Sequence, residues 1–115
     1  MKDIYLEIVR VLSSGTPAAL ATIIQVMGSS PRGVGAKFLV PKDKPTIGSV
    51  GRGCLEAEVW QGAMDSINHE KSSLMRFRLD DENMIDNGLI CGGTVSILIE
   101  PLRAPGEANS RYTRR

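Results

Sequence analysis

The sequence is short of the features that mark several large classes of protein. Its 14 Lys and Arg nearly balance 13 Asp and Glu, for a formal net charge of +1. No overall field then favours nucleic acid or an anionic membrane as a partner. No stretch of about 18 consecutive apolar residues occurs, so no bilayer-crossing helix is expected. The opening "MKDIYLEIVRVL" breaks its apolar residues with Asp3, Glu7 and Arg10. A signal peptide has an uninterrupted centre, so a cytoplasmic location is expected. There are two cysteines and one histidine, His69. Two cysteines in an unsecreted chain are free thiols more often than a disulfide scaffold. With a single histidine they do not complete a tetrahedral zinc site. There is no Walker loop and no Rossmann glycine fingerprint. No acid–base set has catalytic spacing, so no enzyme is expected. No internal repeat is visible.

What is present suits one small α+β domain. The 115 residues, 42% hydrophobic and 23% charged, can fill a single core. Ile4, Ile8 and Leu12, with Tyr5 and Val9 beside them, recur at helical spacing. Asp3 as N-cap and Ser14-Gly15 as a stop predict a first helix over about 3–14. "AALATIIQVM" reads as a strand covered on both faces, and "AKFLVP" and "IGSVG" as short strands. Leu55, Val59, Ala63 and Ile67 lie four apart, which predicts a second helix over about 54–69. Trp60 and Met64 on that helix read as core, and His69 near its end as solvated. "LMRFRL" sets Met75, Phe77 and Leu79 against Arg76 and Arg78, a half-exposed strand; "DDENMIDNG" is a polar loop. In "TVSILIEP" Val95, Ile97 and Ile99 share one face of a last strand.

The expected fold class is therefore α+β, a small mixed sheet with two packed helices, in one domain over residues 1–102. The tail 103–115, with Arg103, Arg111, Arg114 and Arg115, has little to pack and is expected to be disordered. Exposed edges on so short a sheet predict a homodimer.

Three glycine-bearing loops stand at element ends: "GSSPRGVGAK", "GSVGRGCLE" and "NGLICGGT". Glycine there lets the chain turn and lets another backbone or a ligand come close. In the first, Ser29, Ser30, Arg32 and Lys37 can cradle an anion; they can equally be a tight connection with solvated cations. In the second, Gly51, Arg52 and Gly53 lead Cys54 into a helix N-terminus, where a thiolate is favoured. Cys54 can equally be a small buried apolar residue, and Glu56 an early-helix acid facing the helix dipole. In the third, Cys91 precedes Gly92 and Gly93, again as a reactive thiol or as packing at a strand entrance. A Cys–His hydrolase would need His69 beside one of the thiols.

Taken together, "ATIIQVMGSSPRGVGAKFLV", "GSVGRGCLEAEV" and "GLICGGTVSILIEP" resemble the XdhC/CoxI family, from about Leu20 to Pro101. The resemblance is to the N-terminal domain of these xanthine dehydrogenase accessory proteins. It implies a chaperone that binds molybdenum cofactor (molybdopterin) transiently while its sulfido ligand is installed, and delivers it to an apo xanthine dehydrogenase-type molybdoenzyme. A cysteine desulfurase is a further implied partner. By position, Cys54 and Cys91 match the family's motif cysteines, and Gly28, Ser29, Ser30, Pro31, Arg32 and Gly35 match its "GSSPR" loop. The metal-proximal thiols would be Cys54 and Cys91, and a soft metal–dithiolene head suits thiolates. Gly51, Arg52, Gly53, Gly92 and Gly93 would line the same cofactor. Where the family has "GGGC" this chain has "GRGC", with Arg52 the departure. Many members continue into a Rossmann-like domain, so a separate Rossmann-type subunit is an expected partner. Two other readings stay open: an interaction module bridging the dehydrogenase and a partner, or a thiol redox pair of Cys54 and Cys91.

Overall fold

The structure, a computed structural model, describes residues 3–30, 32–51, 53–79 and 92–103, with Cys54 described by its backbone alone. The loop "DDENMIDNG" and the tail from 104 onward lie outside the described residues. In chain order the elements are α1 (Ile4–Ser13), β1 (Ala18–Met27), β2 (Lys37–Pro41), β3 (Ile47–Gly48), α2 (Gly53–His69), β4 (Ser73–Arg78) and β5 (Thr94–Leu102).

Local signals account for the two helices. The Asp3 carboxylate accepts the Tyr5 N–H at 2.9 Å, a side-chain cap on the first free donors of α1. At its other end the Ser14 hydroxyl donates to the Val11 carbonyl at 2.7 Å, just before the turn at Gly15. In α2 the residues at the four-apart spacing, Leu55, Val59, Ala63 and Ile67, are all buried.

The sheet order is β3-β2-β1-β5-β4. The α+β class and the two helices are as expected. Every described strand pair, however, is antiparallel, where a mixed sheet was expected. A helix between two strands usually sets them side by side and parallel. Here α2 crosses the whole sheet, so β3 and β4 end at opposite edges and never pair.

The central strand β1 is covered on both faces over its first half. Ala18 and Leu20 pack with Val11 of α1 and Leu39 of β2. Ala19, Ala21 and Ile23 face the other way, among Leu55, Val59 and Ala63 of α2 and Ile97 and Ile99 of β5. Ile23, Ile97 and Ile99 are 0% exposed, and each contributes about 1.5–3 kcal/mol by burial. The α2 layer is thus the main core and α1 a smaller one. A register shift between Ile23 and Gln25 makes Ile24 the extra residue of a β-bulge. It returns Val26 to the α2 side.

Two expectations about side chains change. Trp60 is not core: it is 43% exposed, because the buried stripe of α2 runs through 55, 59, 63 and 67 and leaves it on the flank. On α1, Tyr5 and Val9 are each 61% exposed, while Glu7 and Val11 are buried. That helix packs against β2, β3 and the start of β1, and its contact stripe is Ile4, Glu7, Ile8, Val11 and Leu12. Among the described residues no helix is long and apolar enough to cross a membrane.

Candidate functional site

Antiparallel pairing fixes which loops share an end of the sheet. Met27 and Arg78 both lie opposite Thr94. Gly48 lies opposite Phe38, beside the start of β2. The segments 28–30, 49–51 and 92–93, and the first turn of α2, therefore lie toward the same end of the sheet. Ile4, which opens α1, comes within reach of Gly48 there. Both helices point their electropositive N-termini to this end.

The first and third loops touch backbone to backbone. A side chain at Gly93 would run into the Ser29 carbonyl and sit 2.8 Å from the Met27 carbonyl. A Cβ at Gly28 would lie 3.2 Å from the Gly93 Cα. The Leu79 N–H donates to the Gly93 carbonyl at 2.6 Å and ties the end of β4 to the same point. Glycine at 93 is thus a requirement of close approach.

The second loop is held from within. Glu56, in the first turn of α2, reaches back over it. Its carboxylate accepts the Ser49 hydroxyl, the Val50 N–H at 3.2 Å and the Gly51 N–H at 3.3 Å. The Ser49 N–H donates to the Lys37 carbonyl at 3.1 Å, which joins this loop to β2. The amides that a glycine loop would offer to an incoming anion are occupied at 50 and 51 by the chain's own carboxylate. Glu56 was legible only as an early-helix acid. The Ser–Glu separation is longer than a capping box, and no spacing rule points to it.

Beside the first loop, the Ser30 hydroxyl donates to the Arg32 carbonyl at 2.8 Å, and the Arg32 side chain is exposed. Lys37 is half-buried. Its ammonium lies 3.4 Å from the Thr22 hydroxyl and 6.0 Å from the centre of the Tyr5 ring. Among the described residues no carboxylate pairs with either cation. Arg32, Lys37, Tyr5, Gly48 and Ser49 line one groove of about 580 Å³.

Of the predicted site residues, Gly28, Ser29, Ser30, Arg32, Gly51, Gly53, Gly92 and Gly93 stand at this end, with Gly93 buried and Ser29 exposed. Cys54 belongs to the first turn of α2 by its backbone. Its thiol, Arg52, Pro31 and Cys91 lie outside the described residues. His69 closes α2 at the opposite end and is exposed. At about 1.5 Å rise per residue it is about 22 Å from Cys54 along the helix, too far for a Cys54–His69 pair. Among the described residues no cluster of three or more His, Cys, Asp or Glu could hold a metal ion.

The family model for XdhC and CoxI matches residues 11–78. The chain is similar to the molybdenum cofactor insertion chaperone PaoD of Escherichia coli (strain K12), 29% identical over 96 residues that cover 84% of this chain and 30% of PaoD. It is also similar to a probable xanthine dehydrogenase subunit of Bacillus subtilis (strain 168), 32% identical over 95 residues, 83% of this chain and 29% of that protein. A crystal structure of a xanthine dehydrogenase from Bacillus halodurans superposes with a TM-score of 0.74 at 33% identity, covering 88% of this chain and 30% of that one. The chain thus spans less than a third of the length of these relatives. It belongs to the XdhC and CoxI family.

Proposed function

We propose that this chain is an accessory factor, not an enzyme, in the maturation of xanthine dehydrogenase-type molybdenum hydroxylases. It holds molybdenum cofactor transiently at the loop end of the sheet and delivers it to the apo-enzyme. Family membership and the cofactor-insertion role named for PaoD support the accessory role. The observation that carries the cofactor reading is the contact of loops 28–30 and 92–93 at the end of the sheet that loop 49–51 shares, with two cations there that have no carboxylate partner among the described residues.

In this reading each residue has a role its chemistry suits. Ser29, Ser30 and Arg32 meet the phosphate end of the cargo. Gly28, Gly92 and Gly93 let it approach the backbone. Cys54 and Cys91 face the soft sulfur-bearing metal end, with the Cys54 thiolate favoured by the start of α2. Gly51, Arg52 and Gly53 border the cargo between these ends. Residues 1–102 act as the cofactor-holding domain. The proposed partners are the apo-molybdoenzyme, a cysteine desulfurase, a second copy of this chain and a Rossmann-type subunit.

The test is anaerobic binding of molybdenum cofactor to the intact chain and to its Cys54→Ser and Cys91→Ser variants. Binding by the intact chain, weakened at least tenfold in each variant, is the expected result. A folded chain that binds no cofactor, alone or with the Rossmann-type subunit, would overturn the reading and leave the bridging module as the better account.

A further inference from the structure

We infer that the groove between the start of α1 and the edge strands β2 and β3 is a binding site for an organic phosphate. Arg32 and Lys37 meet the phosphate oxygens, and the planar ring of the ligand lies against Tyr5.

Charge is the first reason. Arg32 and Lys37 line the same groove, and among the described residues neither has a carboxylate partner. Two like charges held in one concavity attract a multiply charged anion, and both side chains form their stronger hydrogen bonds to ionised oxygens. Placement is the second. Lys37 sits on a strand, half-buried, with its ammonium between the Thr22 hydroxyl and the Tyr5 ring. The backbone at Arg32 is tied by the Ser30 hydroxyl. The Lys37 ammonium is thus positioned, and the exposed Arg32 side chain springs from a tied backbone at the groove's rim.

Shape is the third. The groove, about 580 Å³, lies within the roughly 300–1,000 Å³ typical of small-molecule sites. Tyr5 adds a ring that is 61% exposed in the first turn of α1, on a chain with only five aromatic residues. Such a ring, open to water beside two cations, suits a ligand with a flat heterocycle. Backbone closes the groove at Gly48, where any side chain would strike the Lys37 carbonyl. Finally, the competing anion site is taken. Glu56 fills the amides of Val50 and Gly51, so an anion arriving at this end is directed to the groove.

The inference rests on the function proposed above, since the groove would take the phosphate-bearing end of the cofactor. It can be tested without the cofactor. The probes are cytidine diphosphate and inorganic pyrophosphate, titrated separately into the intact chain and followed by backbone amide NMR. Both probes should shift the amides of Tyr5, Arg32, Gly35, Lys37 and Gly48. Arg32→Ala and Lys37→Met, which keeps the aliphatic stem in the strand, should each weaken both probes at least tenfold. Tyr5→Ala should weaken cytidine diphosphate severalfold more than pyrophosphate.

No shift by a folded chain at millimolar probe, shifts confined to residues 49–53, or unchanged affinity in both cation variants would each overturn the inference. The two proposals fail separately. Cofactor binding undiminished in Arg32→Ala and Lys37→Met refutes the groove and leaves the cofactor reading standing. Groove binding of cytidine diphosphate by a chain that takes no cofactor supports the groove and overturns the cofactor reading.

Discussion

The two ends of the sheet solve the same backbone problem differently. At the end opposite the loops, Asp43 and Glu70 hold left-handed backbone, at φ 63° and 58°. Each such residue costs about 1–2 kcal/mol. Ordinary contacts finish that end. The Ser66 hydroxyl donates to the Lys71 carbonyl at 2.7 Å, Arg103 pairs with Glu70, and the Lys44 ammonium donates to the Ser14 hydroxyl at 3.3 Å. At the loop end the left-handed positions 28, 35, 48 and 92 are all glycine, and position 93 is glycine although its φ is not left-handed. Positions 48 and 93 share a carbonyl pressed against the place where a Cβ would be. At 48 and 93 close approach demands glycine, whereas at 15, 35 and 92 nothing lies within 4 Å and only the left-handed backbone favours it.

The sharpest way to break that contrast is at Gly93. Gly93→Ala drives a methyl into the Ser29 and Met27 carbonyls and should destabilise the fold by about 3 kcal/mol, read by urea denaturation. Gly92→Ala is the control. Its Cβ meets nothing within 4 Å at φ 78°, and only the backbone penalty of about 1–2 kcal/mol applies. Equal losses in the two variants would show that close approach is not what position 93 requires.

Glu56→Ala should come next, at about 2 kcal/mol, because it strands the Val50 N–H and leaves the Gly51 N–H with the Ser49 hydroxyl alone. Glu56→Gln keeps an acceptor and should lose about half as much. In Glu56→Ala the space left by the carboxylate should also take up an outside anion. Added pyrophosphate should then shift the 50 and 51 amides, which it leaves still in the unaltered chain. At the other end the effects shrink. Asp43→Gly removes left-handed strain and adds unfolded-chain entropy, so its stability should rise by less than about 1 kcal/mol; a loss greater than that would mean the Asp43 side chain has a partner. Arg103→Ala should cost only about 0.5 kcal/mol, since the pair with Glu70 is partly exposed.

Much of the architecture was legible because it is periodic. The four-apart run of α2, the alternation of Phe77 with Arg76 and Arg78, and the shared face of Val95, Ile97 and Ile99 all appear as read. The glycine loops were legible as loops, and their close packing at 28 and 93 follows from what glycine permits. Strand order was not legible. It depends on α2 crossing the sheet, a tertiary fact that no window of sequence carries. Trp60 and the stripe of α1 were misplaced for a related reason. Helical spacing says which residues share a face, but the width of the surface underneath decides how many are covered. Glu56 was missed because its partners lie five to seven residues back along a loop whose path is set by tertiary structure.

The bulge at Ile24 has a consequence in time. β2 pairs with β1 only from Ala18 to Thr22. Beyond the bulge, Gln25 to Met27 find their ladder partners solely in β5. A nascent chain emerging from the ribosome can close the hairpin of β1 and β2 early, but the far end of β1 waits for a strand made more than sixty residues later. Until Thr94 and its neighbours dock, Ser29 and Gly93 are strangers, and a half-synthesised chain has no complete loop end.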